Sequence, residues 1–385
     1  MRTILVINCG SSTVKFAVFR GSAERCRGLV DRIGIPGSSL SISLPGDRAI
    51  ALKLPVRTHR EGISHLMRLI IAQDVVRSVE EIDAVGHRVV HGGSFTQSTL
   101  LDGASIAAIR RSIRLAPLHN PHNLAGILAC GKLRRPQVAV FDTAFHAAMP
   151  EEAWRYALPE RFRDIRRFGF HGISHQYVAR EAARILRRPL SQLKLITCHL
   201  GNGSSLTAVR NGRSVDNTMG YTPLEGLVMG TRCGSLDPAI PLLIAQRERL
   251  SPAEVEKLLN RESGLKALAG TRDMRDILSR AKRGERKARL ALNIYCRAVA
   301  KHIGAYMALL NGADAIVFTA GIGQNAPEVR RRVLSGFRHQ GLRLCPRANP
   351  ANRAVITRSS SRIAALVIPT DEEREIARET ARVLR

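Results

Sequence analysis

Thr3-Ile4-Leu5-Val6-Ile7 is an apolar, largely β-branched run that stops at the small and polar Asn8-Cys9-Gly10-Ser11-Ser12 and resumes as Val14-Lys15-Phe16-Ala17-Val18-Phe19. Strand, small-residue turn and strand in that order predict a β-hairpin. The pattern returns near mid-chain: Lys194 to Cys198 reads as a buried strand, His199 to Ser205 as the turn, and Leu206 to Arg210 as the second strand. At an offset of 191 residues the two segments align without gaps, placing Gly10 on Gly201, Ala17 on Ala208, Val18 on Val209 and Gly21 on Gly212. Each match falls at the same place in the unit, which points to an internal duplication and two related domains.

Apolar positions recur with helical spacing at His59–Gln73, Gly103–Leu115, Ser174–Leu186, Asp237–Arg247, Ser251–Leu259 and Arg289–Leu310, and strands are expected at Ala84–Val90, Val138–Phe141, Ala315–Thr319 and Ala364–Ile368. Mixed in this order they predict an α/β fold with helices covering both sheets. Asp371 to Arg385 reads as a helix that crosses back to the first half. The expected domains are residues 1–146, with a helix at about 373–385 packing back on them, and residues 147–372.

Composition narrows the function. The 385 residues suit two domains, and 44% hydrophobic with 24% charged residues is a globular balance. The net charge of +28 first suggests nucleic acid or an anionic membrane. Yet the cations, 51 Arg and 9 Lys, are scattered in short pairs such as Arg110-Arg111, Arg134-Arg135, Arg166-Arg167 and Arg187-Arg188. The densest run, Arg280 to Arg289, contains Glu285 and reads as a solvated helix face. Only 4% of residues are aromatic, too few for base-stacking platforms. No nucleic-acid partner is expected, and the charge reads as a general arginine bias or an attraction for small anions. Seven cysteines without a C-x-x-C pair fit a reducing cytosol, with neither a zinc cluster nor a disulfide framework. The apolar start is too short for a signal peptide and no apolar run reaches about 18 residues, so the expected location is cytoplasmic, with no membrane partner.

The candidate chemistry lies in turns and in polar segments set among apolar ones. Gly, Ser and Asn turns at the ends of buried strands leave backbone N–H groups free to meet phosphate oxygens. Three such turns are expected: Asn8–Ser12, followed by Lys15; His199–Ser205, carrying Asn202; and Gly321–Asn325, which follows the strand Ala315–Thr319 and precedes a helix with Pro327 in its first turn. The histidine-rich stretches Gly86–Gly93, Leu118–Asn123, Phe141–His146 and Phe168–His175 match neither H-E-x-x-H nor a Cys/His cluster. Ser174, opening a helical run, also reads as an N-cap. Arg88, at the end of an apolar strand, and Arg232, in Met229-Gly230-Thr231-Arg232, would each be costly to bury without a carboxylate or phosphate partner. Two such arginines could clamp a small anion, an arrangement that phosphoryl transfer uses to spread developing charge.

Together, Asn8-x-Gly10-Ser11-Ser12, His87-Arg88-Val89-Val90-His91-Gly92-Gly93, Phe141-Asp142-Thr143-Ala144-Phe145-His146, Gly169-Phe170-His171-Gly172-x-Ser174-His175 and Met229-Gly230-Thr231-Arg232 resemble the motifs of the acetate kinase family. This is the acetokinase branch of the sugar kinase, Hsp70 and actin superfamily, and the resemblance runs from Asn8 to the terminal helix. It implies two duplicated actin-like, ribonuclease H-like ATPase domains with a cleft between them, and reversible transfer of a phosphoryl group from ATP to acetate, giving acetyl phosphate and ADP. It further implies Mg²⁺, or Mn²⁺ in its place, held by Asn8 and Glu372 directly or through water, with Lys15 near the nucleotide phosphates. By the same resemblance Arg88 binds the substrate carboxylate, Asp142 is the essential acidic residue, and His171 and Arg232 stabilise the transferring phosphoryl group. His199, Leu200, Gly201, Asn202 and Gly203 would contact the β- and γ-phosphates; Asp273, Met274, Arg275, Gly321, Ile322, Gly323, Gln324 and Asn325 would hold the adenosine. Val90, Leu118, Phe170 and Pro223 would form the pocket for the substrate methyl. A homodimer formed through the second domain is implied as well.

The chain departs from the family pattern at Thr13, where a third Ser is usual, at Ser235, where a carboxylate is lost, at Gln324, where Glu is usual, and at Asp371, which replaces Asn before the metal glutamate. These leave nucleotide or phosphoryl-donor preference and metal affinity open. A carboxylate is ionised at pH 7 and needs no base, which makes Asp142 an organiser of arginine or metal-bound water rather than a proton acceptor. The alternatives are a kinase for propionate or another short-chain acid, and a nucleotide-binding relative with weakened turnover.

Overall fold

The fold is that of a computed structural model, which describes every residue from Met1 to Arg385 except Leu118. The chain divides into Met1–Ala147 with Asp371–Arg385 (unit 1) and Ala148–Thr370 (unit 2). The sequence places Asp371 and Glu372 in the second domain; they go instead with unit 1, because Asp371 caps the helix Glu372–Val383 through the Arg374 N–H.

Unit 1 is built on an eight-stranded sheet. Its strands are β1 (Thr3–Cys9), β2 (Val14–Arg20), β3 (Ala23–Asp31), β4 (Ser39–Leu44), β5 (Arg48–Lys53), β6 (Ala84–Val89), β7 (Thr99–Leu100) and β8 (Gln137–Phe141), in the order β5-β4-β3-β2-β1-β6-β8-β7. β1, β6 and β8 run parallel, and β1 through β5 form an antiparallel meander. Every residue of β1 is buried, as a strand covered by helices on both faces requires. Leu66 and Ile70 of the helix His59–Ala72 pack with Leu5, Ile7 and Phe16. Gly86 of β6 leaves room for the terminal helix: a Cβ there would come within 2.3 Å of Thr380 Oγ1.

Unit 2 repeats the plan. β9 (Lys194–Leu200), β10 (Ser204–Arg210), β11 (Arg213–Asn217), β12 (Ala315–Thr319) and β13 (Ala364–Val367) lie in the order β11-β10-β9-β12-β13. Hairpin pairing joins β9, β10 and β11, and β9, β12 and β13 are parallel. This matches β3-β2-β1-β6-β8 strand for strand. The core gathers Tyr295, Val299 and Ile303 of the long helix Arg286–Leu310 and Ile277 of the helix Met274–Lys282 against Ile196, Leu206 and Phe318.

The duplication is present, but its register differs from the gapless one. Cys9 faces Val14 across the first turn and Leu200 faces Ser204 across the second, so the loops hold four and three residues. The offset is therefore 191 for the first strand and 190 for the second, which pairs Arg20 with Arg210 and Gly21 with Asn211. Gly10 and Gly201 are equivalent; Ala17 and Ala208, Val18 and Val209, and Gly21 and Gly212 are not. In a strand, one residue of slip reverses every side chain, so a gapless match could not hold through both strands. Gly21 (φ 61°) and Asn211 (φ 53°) both occupy the left-handed region that a tight hairpin needs.

Other boundaries move by a few residues. The strand expected to reach Val90 ends at Val89, and the helical reading Gly103–Leu115 becomes an α-helix to Arg111 followed by a 3₁₀ turn, Ser112–Leu115. Gly321–Asn325, expected as an open glycine turn, is helical from Ala320 to Asn325. Pro327 does open the next helix, Pro327–Ser335. Among the described residues, no helix is long and apolar enough to cross a membrane.

Candidate active site

In unit 1 the candidate residues meet at the carboxyl ends of the parallel strands. Arg88, next to last in β6, donates from Nε to Asp142 Oδ1 (3.1 Å) and from Nη2 to Asp142 Oδ2 (2.8 Å), and its Nη1 lies 3.3 Å from Glu372 Oε2. Asp142, just past β8, is 2% exposed, whereas the Arg88 side chain is 20% exposed. Burial opposes the Arg88 charge, but the two carboxylates outweigh it and raise its pKa. The expectation that a buried Arg88 needs a carboxylate or phosphate partner is met within the chain, which supplies two carboxylates. These engage three of the five guanidinium N–H groups.

Asn8, nearly buried, lies opposite the exposed Lys15 in the β1–β2 pair. The next carbonyl, of Cys9, accepts from Asn123 Nδ2 (2.9 Å), and Asn123 Oδ1 accepts from the Val90 N–H (3.1 Å). One buried amide thus ties the Asn8 turn to Val90. Val90 sits in a bend beyond β6, so strand alternation does not place its side chain on the Arg88 face. Leu118 lies outside the described residues. Glu373 is driven toward its neutral form by burial and by the adjacent Glu372, with Lys15 opposing.

In unit 2, His171 precedes the helix Gly172–Leu186 with φ 56° and ψ 25°, a left-handed conformation that costs a non-glycine residue roughly 1–2 kcal/mol. Its ring stacks on His199 at 4.1 Å between centroids, and Nδ1 is 2.9 Å from Ser205 Oγ. His199 Nδ1 is 2.8 Å from Ser174 Oγ, which is 2.8 Å from Thr370 Oγ1; Ser174 therefore bridges these groups rather than capping its helix. Arg232 donates from Nη1 to the Pro223 carbonyl (3.2 Å), and burial lowers its pKa. No carboxylate among the described residues pairs with it, in contrast to Arg88. Gly203 joins these groups: a Cβ built there would lie 3.4 Å from His171 Nε2 and 3.5 Å from Arg232 Nη1. Phe170 is buried beside His171, its N–H donating to Asn217 Oδ1 (3.4 Å).

A cavity of about 550 Å³ lies next to the β9–β10 turn, lined by Gly201, Asn202, Asp273, Met274, Arg275, Gly321, Ile322 and Asn325, together with Arg272, Leu278 and Ala326. Leu200 and Gly323 are buried beneath it. Asp273 accepts from the Arg275 N–H and side chain, and the latter lowers its pKa to about 2. The fully buried Arg330 spends all five N–H groups on neutral oxygens: the Gly323 (2.8 Å) and Gln324 (2.6 Å) carbonyls, Asn349 Oδ1 and O, and Asn352 Oδ1. Burial pushes its pKa down to about 10.

Ser205, His175, Asn123 and Arg330 were not singled out in the sequence. Ser205 ends the expected His199–Ser205 turn and His175 and Asn123 lie within the polar segments noted above, but Arg330 sits in an arginine-rich helix and carries no local signal. The departing residues have structural partners: Ser235 Oγ accepts from the Gly226 N–H, and Asp371 caps its helix and pairs with Arg374.

A family model described as the acetokinase family matches residues 3–378. An acetate kinase of Dictyoglomus turgidum is 46% identical over 99% of this chain and 97% of its own. Among solved structures, the acetate kinase of Porphyromonas gingivalis superposes with a TM-score of 0.92 at 38% identity, covering all of both chains. A propionate kinase from Francisella tularensis superposes at 0.91 and 39% identity, covering 98% of this chain and 99% of its own.

Proposed function

This chain belongs to the acetokinase family, and from that premise we infer that it transfers a phosphoryl group reversibly between ATP and acetate, forming acetyl phosphate and ADP. The observation that carries the reading is Arg232, a half-buried guanidinium with no carboxylate partner among the described residues, beside His171 at a glycine that admits close approach. Such a pair suits the transferring phosphoryl group, where negative charge must be spread. An acetate oxygen attacks the γ-phosphorus in line; the bond to the β-phosphate oxygen breaks and ADP leaves with the electron pair. Because acetate is already ionised, no residue has to remove a proton.

Arg88 orients the acetate carboxylate with its two remaining N–H groups, and Asp142 fixes the guanidinium plane. Val90, Leu118, Phe170 and Pro223 are assigned to the methyl pocket. The 550 Å³ cavity is assigned to the nucleoside, with His199, Leu200, Gly201, Asn202 and Gly203 toward the phosphates. For Mg²⁺, the oxygen donors Asn8 and Glu372 fit a hard cation that uses one carboxylate, water and substrate phosphate, and the charge crowding felt by Glu373 is relieved by a cation there. Bound there, Mg²⁺ would neutralise phosphate charge.

The test is a coupled assay with ATP, Mg²⁺ and formate, acetate, propionate and butyrate. Acetate is expected to have the highest kcat/KM; propionate in first place would favour the reading that the Francisella structure suggests. The proposed homodimer forms through unit 2. Its support is the helix Ala239–Glu248, which buries no residue and exposes Leu242 (73%) and Leu243 (60%). Light scattering should give two chains, and Leu242→Glu with Leu243→Glu one.

A further inference from the structure

Behind His171 runs a string of buried polar groups. His171 Nδ1 lies 2.9 Å from Ser205 Oγ, Ser205 Oγ lies 2.8 Å from His175 Nε2, and His175 Nδ1 lies 2.7 Å from Thr197 Oγ1. Ser205, His175 and Thr197 are all 0% exposed. A hydroxyl owns one hydrogen and a neutral imidazole one N–H, so the string has two self-consistent fillings. In one, Thr197 donates to His175, His175 to Ser205, and Ser205 to His171 Nδ1, which leaves the His171 proton on Nε2. In the other every bond runs the opposite way and His171 carries its proton on Nδ1.

Thr197 favours the second filling. Only there is its hydrogen free to point at the Thr207 carbonyl across the β9–β10 pair, a long contact of 3.5 Å, while its oxygen accepts from His175 Nδ1–H. His175 Nε2 then accepts from Ser205, and Ser205 accepts from His171 Nδ1–H. We propose that Thr197, His175 and Ser205 are positioning residues that hold His171 as the Nδ1–H tautomer and thereby turn Nε2 toward the phosphoryl group. This rests on the role given to His171 in the proposed reaction.

The orientation has a chemical consequence. With Nδ1–H already bonded, Nε2 can take a proton and donate it to a phosphoryl oxygen as part of an imidazolium, and no bond in the string has to move. In the opposite filling, a proton arriving on Nδ1 would face Ser205 together with the His175 Nε2–H. The serine hydrogen would be left buried without an acceptor, which opposes protonation of His171 in that filling. The Nδ1–H filling therefore lets His171 become charged without disturbing the core. Nε2 lies on the Gly203 side, where Arg232 Nη1 also approaches.

The experiment combines kinetics with ¹⁵N-histidine NMR of the full chain, assigned through His171→Asn and His175→Asn. Wild-type His171 and His175 should both give the Nδ1–H pattern; an Nε2–H pattern at His171 overturns the proposal. Ser205→Ala should lower kcat by about 10–100-fold, as loss of a partner that orients a functional group does, with KM for ATP and acetate changed less than about threefold and the His171 tautomer mixed. Ser205→Thr, which keeps the hydroxyl, should restore most of kcat. If Ser205→Ala fails to fold, the near-isosteric Thr197→Val decides, since it should also mix the tautomers. Unchanged tautomer and kcat in the folded variant refute the positioning string. Full kcat in His171→Asn would instead refute the proposed role of His171 itself.

Discussion

Asp142→Asn separates an arginine organiser from a residue needed only for its fold. In the wild type, Asp142 accepts two charge-assisted hydrogen bonds from Arg88, at 3.1 and 2.8 Å, from a position 2% exposed. An asparagine of the same shape can accept one of them, while its NH₂ meets the other guanidinium N–H donor to donor. Removing one partner of a buried ion pair costs about 3–5 kcal/mol. Glu372, 3.3 Å from Nη1, still neutralises Arg88, so the expected loss is at the lower end, about 3 kcal/mol. At roughly 2–4 °C per kcal/mol for a unit of this size, the unit 1 transition should fall by about 6–12 °C. Activity should fall further than folding. With the guanidinium plane no longer fixed, kcat/KM for acetate should drop about 10²–10³-fold, a change of about 3–4 kcal/mol in transition-state stabilisation, and KM for acetate should rise more than KM for ATP. A coupled assay of acetyl phosphate formation and a calorimetric scan read the two effects separately. A variant that keeps half of wild-type activity and melts within about 1 °C of it would refute the claim that Asp142 organises Arg88.

Arg232→Ala should cut kcat/KM at least about 10²-fold while circular dichroism and melting temperature barely move, as the proposed electrostatic contact to the phosphoryl group requires; retention of half the activity would remove it from the mechanism. Arg330→Lys replaces five N–H donors by three and releases the Gly323 and Gln324 carbonyls, so KM for ATP should rise about tenfold with kcat and KM for acetate little changed; equal changes in both KM values would argue against a nucleotide-loop role. Wild-type protein should favour acetate over propionate about tenfold, and Val90→Ala should shift the preference toward propionate; equal use of both acids by the wild type would defeat the pocket assignment. His87, buried and held near pKa 4 by desolvation against its Gln137 hydrogen bond, contributes stability that is complete above the unfolded pKa of about 6.5 and is lost as pH falls toward 4, about 3 kcal/mol in all; a melting temperature flat across that window would contradict it.

Elements whose apolar pattern matches their burial were legible in the sequence. β1, β9, β12 and the helix His59–Ala72 appear where the periodicity places them, because burial on both faces or on one helical stripe leaves a local imprint. β3 and β5 carried no such imprint: β3 alternates weakly and β5 is almost wholly exposed. β4 does alternate, as Ser39-Leu40-Ser41-Ile42-Ser43-Leu44 with Leu40 and Ile42 buried, a period-2 signal that was not among the strands expected above. The pairing of Ser39 with Asp31 and Lys53 is a matter of meander register that no window of sequence contains. The site shows the same split. The glycine and histidine segments were visible, and so was the need of Arg88 for an anionic partner, but the two carboxylates that meet it lie 54 and 284 residues away, where no local pattern identifies them. The left-handed conformation of His171 and the five neutral acceptors of Arg330 were likewise beyond local pattern.

The duplicated topology accounts for where the chemistry sits in each unit. Open sheets with parallel strands bind ligands beyond the carboxyl ends of those strands, where backbone groups and helix starts are exposed. In unit 1 Asn8 and Arg88 are the next-to-last residues of the parallel strands β1 and β6, Asp142 immediately follows β8, and the helix of the terminal segment begins at Glu372. In unit 2, β9 and β12 end at the His199–Gly203 turn and at the helix Ala320–Asn325, and Thr370 follows β13 to meet Ser174. The equivalent first turns have nonetheless diverged: four residues after Cys9, with Asn8 opposite Lys15, and three residues after Leu200, with His199 opposite Ser205. The shorter turn carries Gly203 close to His171, and at the position equivalent to Lys15 it is Ser205 that faces the turn histidine. A common framework thus holds an oxygen donor and a cation in one copy and an imidazole–hydroxyl string in the other. Inserting a residue between Gly201 and Gly203 should therefore abolish turnover while leaving the β9–β12 core intact.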